Sequence, residues 1–122
     1  MEYVDLLVAG EEDARLILGA ESAEALAKRF EIDAVAITLR DNPSSATIAA
    51  DGKTYSAPRL AVHTVDPIGG GDAFSGGLIV SRLEGRGWDE ALRFATATAA
   101  LKHTIPGDFC LVTHTQVEEF LR

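Results

Sequence analysis

The spacing of hydrophobic positions changes along this chain, and the changes mark out its elements. Tyr3 to Ala9 is a short apolar run, interrupted only by Asp5, and predicts a buried strand ended by Gly10. From Glu11 to Leu18 the spacing becomes helical: Ala14, Leu16, Ile17 and Leu18 form an apolar side and acids occupy the first turn. Ser22 is placed to cap a second helix carrying Leu26 and Phe30, although Ala25 stands where a full capping box has Glu or Gln. Ala34 to Leu39 is a second continuous apolar strand, of the kind a parallel sheet buries on both faces. A strand, two helices and a strand predict a right-handed crossover between parallel neighbours.

Short β-type runs at Ala46–Ala50 and Lys53–Ala57 flank Asp51-Gly52, the strongest short-range hairpin signal. Pro58 closes the second run, so this hairpin belongs at a sheet edge. Arg59 to Val65 leads into a glycine-rich loop. A helix is predicted over Gly71–Leu83, with Ala73, Gly76 and Gly77 on a face without bulk. A second is predicted over Trp88–His103, rich in alanine. Close packing between these two helices would by itself explain Gly76 and Gly77. Pro106-Gly107 breaks the chain, and Gln116–Leu121 suggests a last short helix capped by Thr113 or Thr115. The expected fold class is α/β.

Composition narrows the function classes. The chain has 122 residues, enough for one domain. With 47% hydrophobic and 25% charged residues, disorder is not expected. A formal net charge of −8 argues against general nucleic-acid binding, and no run has the length or apolarity of a membrane span. A backbone cradle can still bind an anion despite the global charge. The single cysteine, Cys110, excludes an internal disulfide and a cysteine-based zinc site; it fits a reducing, cytoplasmic compartment and reads as an inert core residue. His63, His103 and His114 are far apart with no acid cluster joining them, which argues against a metal site. His103 reads as a favourable charge at a helix C-terminus. Glu11, Glu12 and Asp13 read as a solvated first turn, and Trp88 and Phe94 as packing residues.

The candidate chemistry lies in Asp66-Pro67-Ile68-Gly69-Gly70-Gly71-Asp72-Ala73-Phe74. Three glycines entering a helix can present bare N–H groups where the macrodipole favours negative charge. Two better-known phosphate motifs fail. Gly52-Lys53-Thr54 resembles the end of a Walker A loop, but its upstream glycine position is Thr47; Gly71 and Gly76 have the spacing, but Gly77 replaces the lysine. The dinucleotide fingerprint fails because Phe74 stands where glycine is required. What remains suits phosphoryl transfer: Gly70, Gly71 and Asp72 N–H groups as donors, and the Asp72 carboxylate as base. The alternative is a glycine turn with Asp72 as an N-cap.

This stretch resembles the second signature of the ribokinase-like, PfkB-type carbohydrate kinases, Asp-x-x-Gly-Ala/Gly-Gly-Asp-x-Phe. The later run Ala100-Leu101-Lys102-His103-Thr104-Ile105-Pro106-Gly107-Asp108-Phe109 is similar to one branch, the 2-keto-3-deoxygluconate kinases. The resemblance covers the whole chain in element order and implies a three-layer α/β/α fold. It implies ATP and Mg²⁺ as cofactors and a sugar or sugar acid as substrate. It implies Asp72 as the catalytic base, Gly69, Gly70 and Gly71 as the anion hole, and Thr38, Arg40 and Thr96 near the nucleotide. Asp66, with carbonyls around Ile68, Lys102, Ile105 and Gly107, matches the monovalent-cation site of some relatives. The family's Asn-x-x-Glu corresponds to Gly10-Glu11-Glu12-Asp13, where Asp13 stands in for the acid and nothing replaces the asparagine amide.

Complete enzymes of this kind are much longer. The chain is therefore expected to be the nucleotide-binding C-terminal portion of a sugar kinase, lacking most sugar contacts and the lid. Such a portion leaves a sheet edge and an apolar face uncovered, which favours homo-oligomers or association with the missing half. Two other readings stay open: a nucleotide-binding or structural fragment without its own catalysis, and another ribokinase-like sugar or nucleoside kinase.

Overall fold

In the computed structural model, which describes residues 1–20, 22–39 and 45–122, the apolar runs form one four-stranded sheet. β1 (Leu6–Gly10) and β2 (Ala34–Leu39) pair in parallel, with Leu6 opposite Ala34 and Gly10 opposite Thr38. β3 (Ser45–Ala50) returns antiparallel to β2, and β4 (Lys53–Ser56) antiparallel to β3. The hairpin stands at the edge as expected. Asp51 and Gly52 both take positive φ, 54° and 71°, the twist that a two-residue turn between antiparallel strands requires. That conformation removes Gly52-Lys53-Thr54 from any phosphate loop.

β1 begins later than its sequence suggests. Val4 N–H donates back to the Met1 carbonyl at 3.3 Å, and pairing starts only where Ala34 N–H reaches the Asp5 carbonyl at 3.2 Å. α1 (Glu11–Leu16) also stops short of Leu18. Gly19 takes a left-handed φ of 67°, and Ala20 N–H turns back to the Ala14 carbonyl at 3.2 Å, closing the helix end. α2 (Ala23–Phe30) starts at Ser22, whose hydroxyl accepts from Ala25 N–H at 3.1 Å.

The remaining helices are α3 (Gly70–Leu83), α4 (Trp88–Lys102) and α5 (His114–Leu121). They complete a three-layer α/β/α arrangement. On one face of the sheet Ala34, Ala36, Ile48 and Ala50 pack with Phe74 and Leu78 of α3 and Leu92 and Ala95 of α4. On the other, Val35, Ile37 and Ala49 pack with Ala14 of α1 and Leu26 of α2. α5 lies on α4 through Val117, Phe94 and Ala97. Its capping box is complete: Gln116 N–H donates to the Thr113 hydroxyl at 3.2 Å, and Thr113 N–H donates to Gln116 Oε1 at 2.9 Å.

Gly77 packs as expected, and Gly76 and Cys110 do not. Gly77 is buried between α3 and α4, where a Cβ would come within 3.0 Å of Ala95 Cα and Thr98 Oγ1. Gly76 is exposed with nothing near it, so close packing does not explain it. Cys110 is exposed rather than core, because the chain from Pro106 to Leu111 runs over the surface between α4 and α5. Trp88 and Phe94 are packing residues: the Arg82 guanidinium sits 4.0 Å from the Trp88 ring centroid, and Phe94 is buried against α5. No helix among the described residues is long and apolar enough to cross a membrane.

Candidate active site

The glycine turn is assembled by two loops that meet beside the N-terminus of α3. Val65 and Asp66 donate their N–H groups to the His103 carbonyl at 2.7 and 3.0 Å. The Asp66 carboxylate accepts Ile68 N–H at 3.0 Å on one oxygen and Gly107 N–H at 2.9 Å on the other. These two N–H groups, and then the Lys102 charge, hold the Asp66 pKa below its ordinary 3.8. Asp66 thereby ties the loop before α3 to the loop after α4.

Gly69 then takes φ 84°, ψ −2°, and serves as the N-cap of α3 without a side-chain bond. A Cβ there would overlap the carbonyl oxygen of Asp108, so both conformation and space require glycine. Gly70 N–H donates to the Pro67 carbonyl at 3.2 Å. A Cβ on Gly70 would run into the His103 ring. Gly71 is different: it is exposed, and a Cβ would meet nothing within 4 Å. Asp72 is the third helical residue, which overturns its reading as an N-cap. Among the described residues neither Gly71 N–H nor Asp72 N–H has a backbone partner, and the Asp72 carboxylate has no hydrogen bond or ion pair. An exposed carboxylate beside two unspent donors on a helix N-terminus is suited to take a proton next to a bound anion.

Two clefts flank the turn. The first, about 790 Å³, is lined by Thr38, Gly70, Gly71, Phe74, Thr96 and His103 among others. The second, about 520 Å³, is lined by Gly69, Asp72, Val80, Phe109 and His114 among others. Gly71 and Asp72 are consecutive, so the turn is the wall between the two. Thr96 is buried, with its hydroxyl donated to the Leu92 carbonyl of its own helix at 2.8 Å. Thr38 is half-buried opposite Gly10. The place a Gly10 Cβ would take is 3.8 Å from Asp13 Oδ2 and 4.0 Å from Thr38 Oγ1, so these three residues gather at one end of the sheet. Arg40 lies outside the described residues. Asp13 is in the first turn of α1 and Asp66 in the loop before α3, and among the described residues no three His, Cys, Asp or Glu side chains cluster as a metal site.

Two residues gained weight from the structure. His103 was expected as a helix-terminal charge. Burial first, and then the neighbouring Lys102 charge, push its pKa below 6.5, so it backs the glycine turn as a neutral ring. Lys102 is fully buried, a place that a lysine ending a helix does not advertise in sequence.

Known proteins resemble this chain over nearly its whole length. The chain is 38% identical to a 2-dehydro-3-deoxygalactonokinase of Haloferax volcanii, over 98% of this chain and 38% of the relative. It is 30% identical to a ribokinase of Haemophilus influenzae, over 99% of this chain and 42% of the relative. Among solved structures, the 2-dehydro-3-deoxygluconokinase of Thermotoga maritima superposes with a TM-score of 0.90 at 34% identity, covering 98% of this chain and 42% of that one. A putative ribokinase II of E. coli, solved with ATP and Mg²⁺, gives 0.85 at 26% identity over 96% of this chain and 39% of that one. The chain thus spans about two fifths of the length of the relatives it matches. The model of the pfkB family of carbohydrate kinases matches residues 1–109, and the chain belongs to that family.

Proposed function

We propose that this chain supplies the ATP-binding and proton-accepting half of a carbohydrate kinase. The single observation that carries the reading is the α3 N-terminus, where the N–H groups of Gly71 and Asp72 are unspent beside the Asp72 carboxylate. In the proposed reaction Asp72 accepts the proton of a sugar hydroxyl. That oxygen bonds the γ-phosphorus, the bond to the β-phosphate oxygen breaks, and ADP leaves. The turn, with Gly69 and Gly70 shaping it, stabilises the charge on the transferring group. The nucleotide lies along the first cleft, past Thr38 and Thr96, and the acceptor approaches Asp72 from the second. Mg²⁺ accompanies ATP; such ions are held largely by substrate phosphates and one or two carboxylates, and Asp13 lies beside Gly10 and Thr38 at that end of the sheet.

A 2-keto-3-deoxy sugar acid is the favoured acceptor. Its support is the 38% identity to a kinase named for 2-dehydro-3-deoxygalactonate, together with the Lys102 to Phe109 run. The test has two steps. Calorimetric titration of the 122-residue chain with Mg·ATP should show binding that Gly69→Ala weakens. The chain is then fused to the preceding region of the Haloferax relative and assayed for phosphorylation of 2-dehydro-3-deoxygalactonate and 2-dehydro-3-deoxygluconate. Asp72→Asn should lower kcat by about 10²–10⁴ and leave ATP affinity within a factor of a few. Turnover surviving the substitution would remove Asp72 from the role. ATP binding with no turnover in any fusion would favour a nucleotide-binding module without catalysis.

A further inference from the structure

The monovalent cation expected beside Asp66 does not fit the residues present. The Lys102 ammonium donates to the carbonyls of Asp66 and Ile105, at 3.2 and 3.0 Å. These are two of the oxygens such an ion would require. Lys102 has no exposed surface, and it ends α4, where the helix leaves its own carbonyls negative. A second cation on the same oxygens would face the ammonium at contact distance. Like charges that close repel strongly where no water lies between them to screen them.

We propose that Lys102 is a tethered replacement for the monovalent ion: its ammonium holds the two loops under the glycine turn, and the protein has no use for K⁺. The connections are short. Asp66 presents one carbonyl to the ammonium and its carboxylate to Ile68 and Gly107. The next carbonyl, of Pro67, receives Gly70 N–H. On the other side Ile105 gives its carbonyl to the ammonium and its N–H to the Lys102 carbonyl at 2.9 Å. Asp108, three residues on, backs Gly69. Lys102 lines neither cleft, so it is a positioning residue. A lysine can do this where a soluble ion would have to be collected from solvent, because its charge arrives with the chain.

The experiment is thermal unfolding of the 122-residue chain in KCl, NaCl and choline chloride at equal ionic strength. The expected result is one Tm in all three salts. A Tm higher in KCl than in both others by about 4 °C or more would overturn the proposal, since only a bound ion adds selective stability. Lys102→Ala removes the ammonium and opens its place among the carbonyls. This variant should melt lower in choline chloride and recover selectively with KCl or ethylammonium chloride. If it does not fold in choline chloride, refolding on addition of either cation is the expected result. A variant that no small cation stabilises overturns the proposal, because the carbonyls would then need no cation. The readout involves neither ATP nor sugar, so a failed turnover assay and a failed cation test remain separate results.

Discussion

Gly69 occupies a position no other residue can take without strain. Its φ of 84° is left-handed and the Asp108 carbonyl fills the space of a Cβ. Gly69→Ala should therefore cost about 1–3 kcal/mol in chemical denaturation, with a matching drop in Tm. An unchanged midpoint would show that the Asp108 loop yields freely. The titrating residues at the turn give a pH dependence whose sign can be worked out. His103 has a folded-state pKa depressed below 6.5, by burial and by Lys102, so folding favours its neutral form. Its contribution is whole above pH 6.5 and is lost as pH falls from there toward the folded-state value. Asp66 has its pKa lowered from 3.8 by Ile68 and Gly107 N–H groups and then by Lys102; its contribution is whole above that value and is lost as pH falls through the folded-state pKa. Stability measured by denaturant titration at descending pH should fall in two stages. His103→Gln should flatten the upper stage and Asp66→Asn the lower; a profile that neither variant alters would sink both assignments.

At the scale of elements, α3 carries two adjacent glycines with opposite reasons for being small. A Cβ on Gly77 would come within 3.0 Å of Ala95 and Thr98, so Gly77→Ala overpacks the α3–α4 contact and should destabilise by about 1–3 kcal/mol. Gly76 faces open space in mid-helix, so Gly76→Ala should stabilise by about 0.5–1 kcal/mol through helix propensity. Equal effects from the two substitutions, measured by urea midpoints, would contradict this division. Sequence could not tell them apart. Both sit in an apolar helical pattern, and which one meets α4 depends on a crossing between helices that local spacing does not set. The elements themselves were legible where a local rule governs them. Ala34–Leu39 has the bounds its apolar run suggested. Asp51-Gly52 made the tight turn its type demands. Boundaries shifted where non-local hydrogen bonds decided them, as at Asp5 with Ala34. The glycine turn divides the same way. Three glycines before a helix announced an anion cradle, but the role of Gly69 as cap, and hence the place of Asp72 three residues on, depends on the distant Asp108 carbonyl.

Over the whole molecule, the three layers are uneven, and that has a consequence for behaviour in solution. Among the described residues β1 pairs only with β2, so its far side presents unpaired backbone groups. Close in sequence, Leu16 and Ile17 are 63% and 75% exposed. Around the second cleft Val80 and Phe109 are 43% and 77% exposed, and Leu111 beyond them is 74% exposed. The larger part of each relative lies outside the matched region, and the proposed acceptor side of Asp72 opens onto this same cleft. Both surfaces therefore have a use if further polypeptide covers them, and both invite self-association if nothing does. The net charge of −8 opposes such association by mutual repulsion, and salt screens that repulsion. The 122-residue chain alone should show a sedimentation coefficient that rises with concentration from the micromolar toward the millimolar range, more steeply at high salt. Phe109→Ser with Leu111→Ser should flatten that rise if the second cleft is the sticky face, whereas a residual rise in the double variant would point to the β1 edge. Fusion to the preceding region of the Haloferax relative should abolish it. A monomer at every concentration and salt would mean that these apolar groups are scattered too thinly to form an interface, and that the cleft beside Asp72 is open to solvent on its own terms.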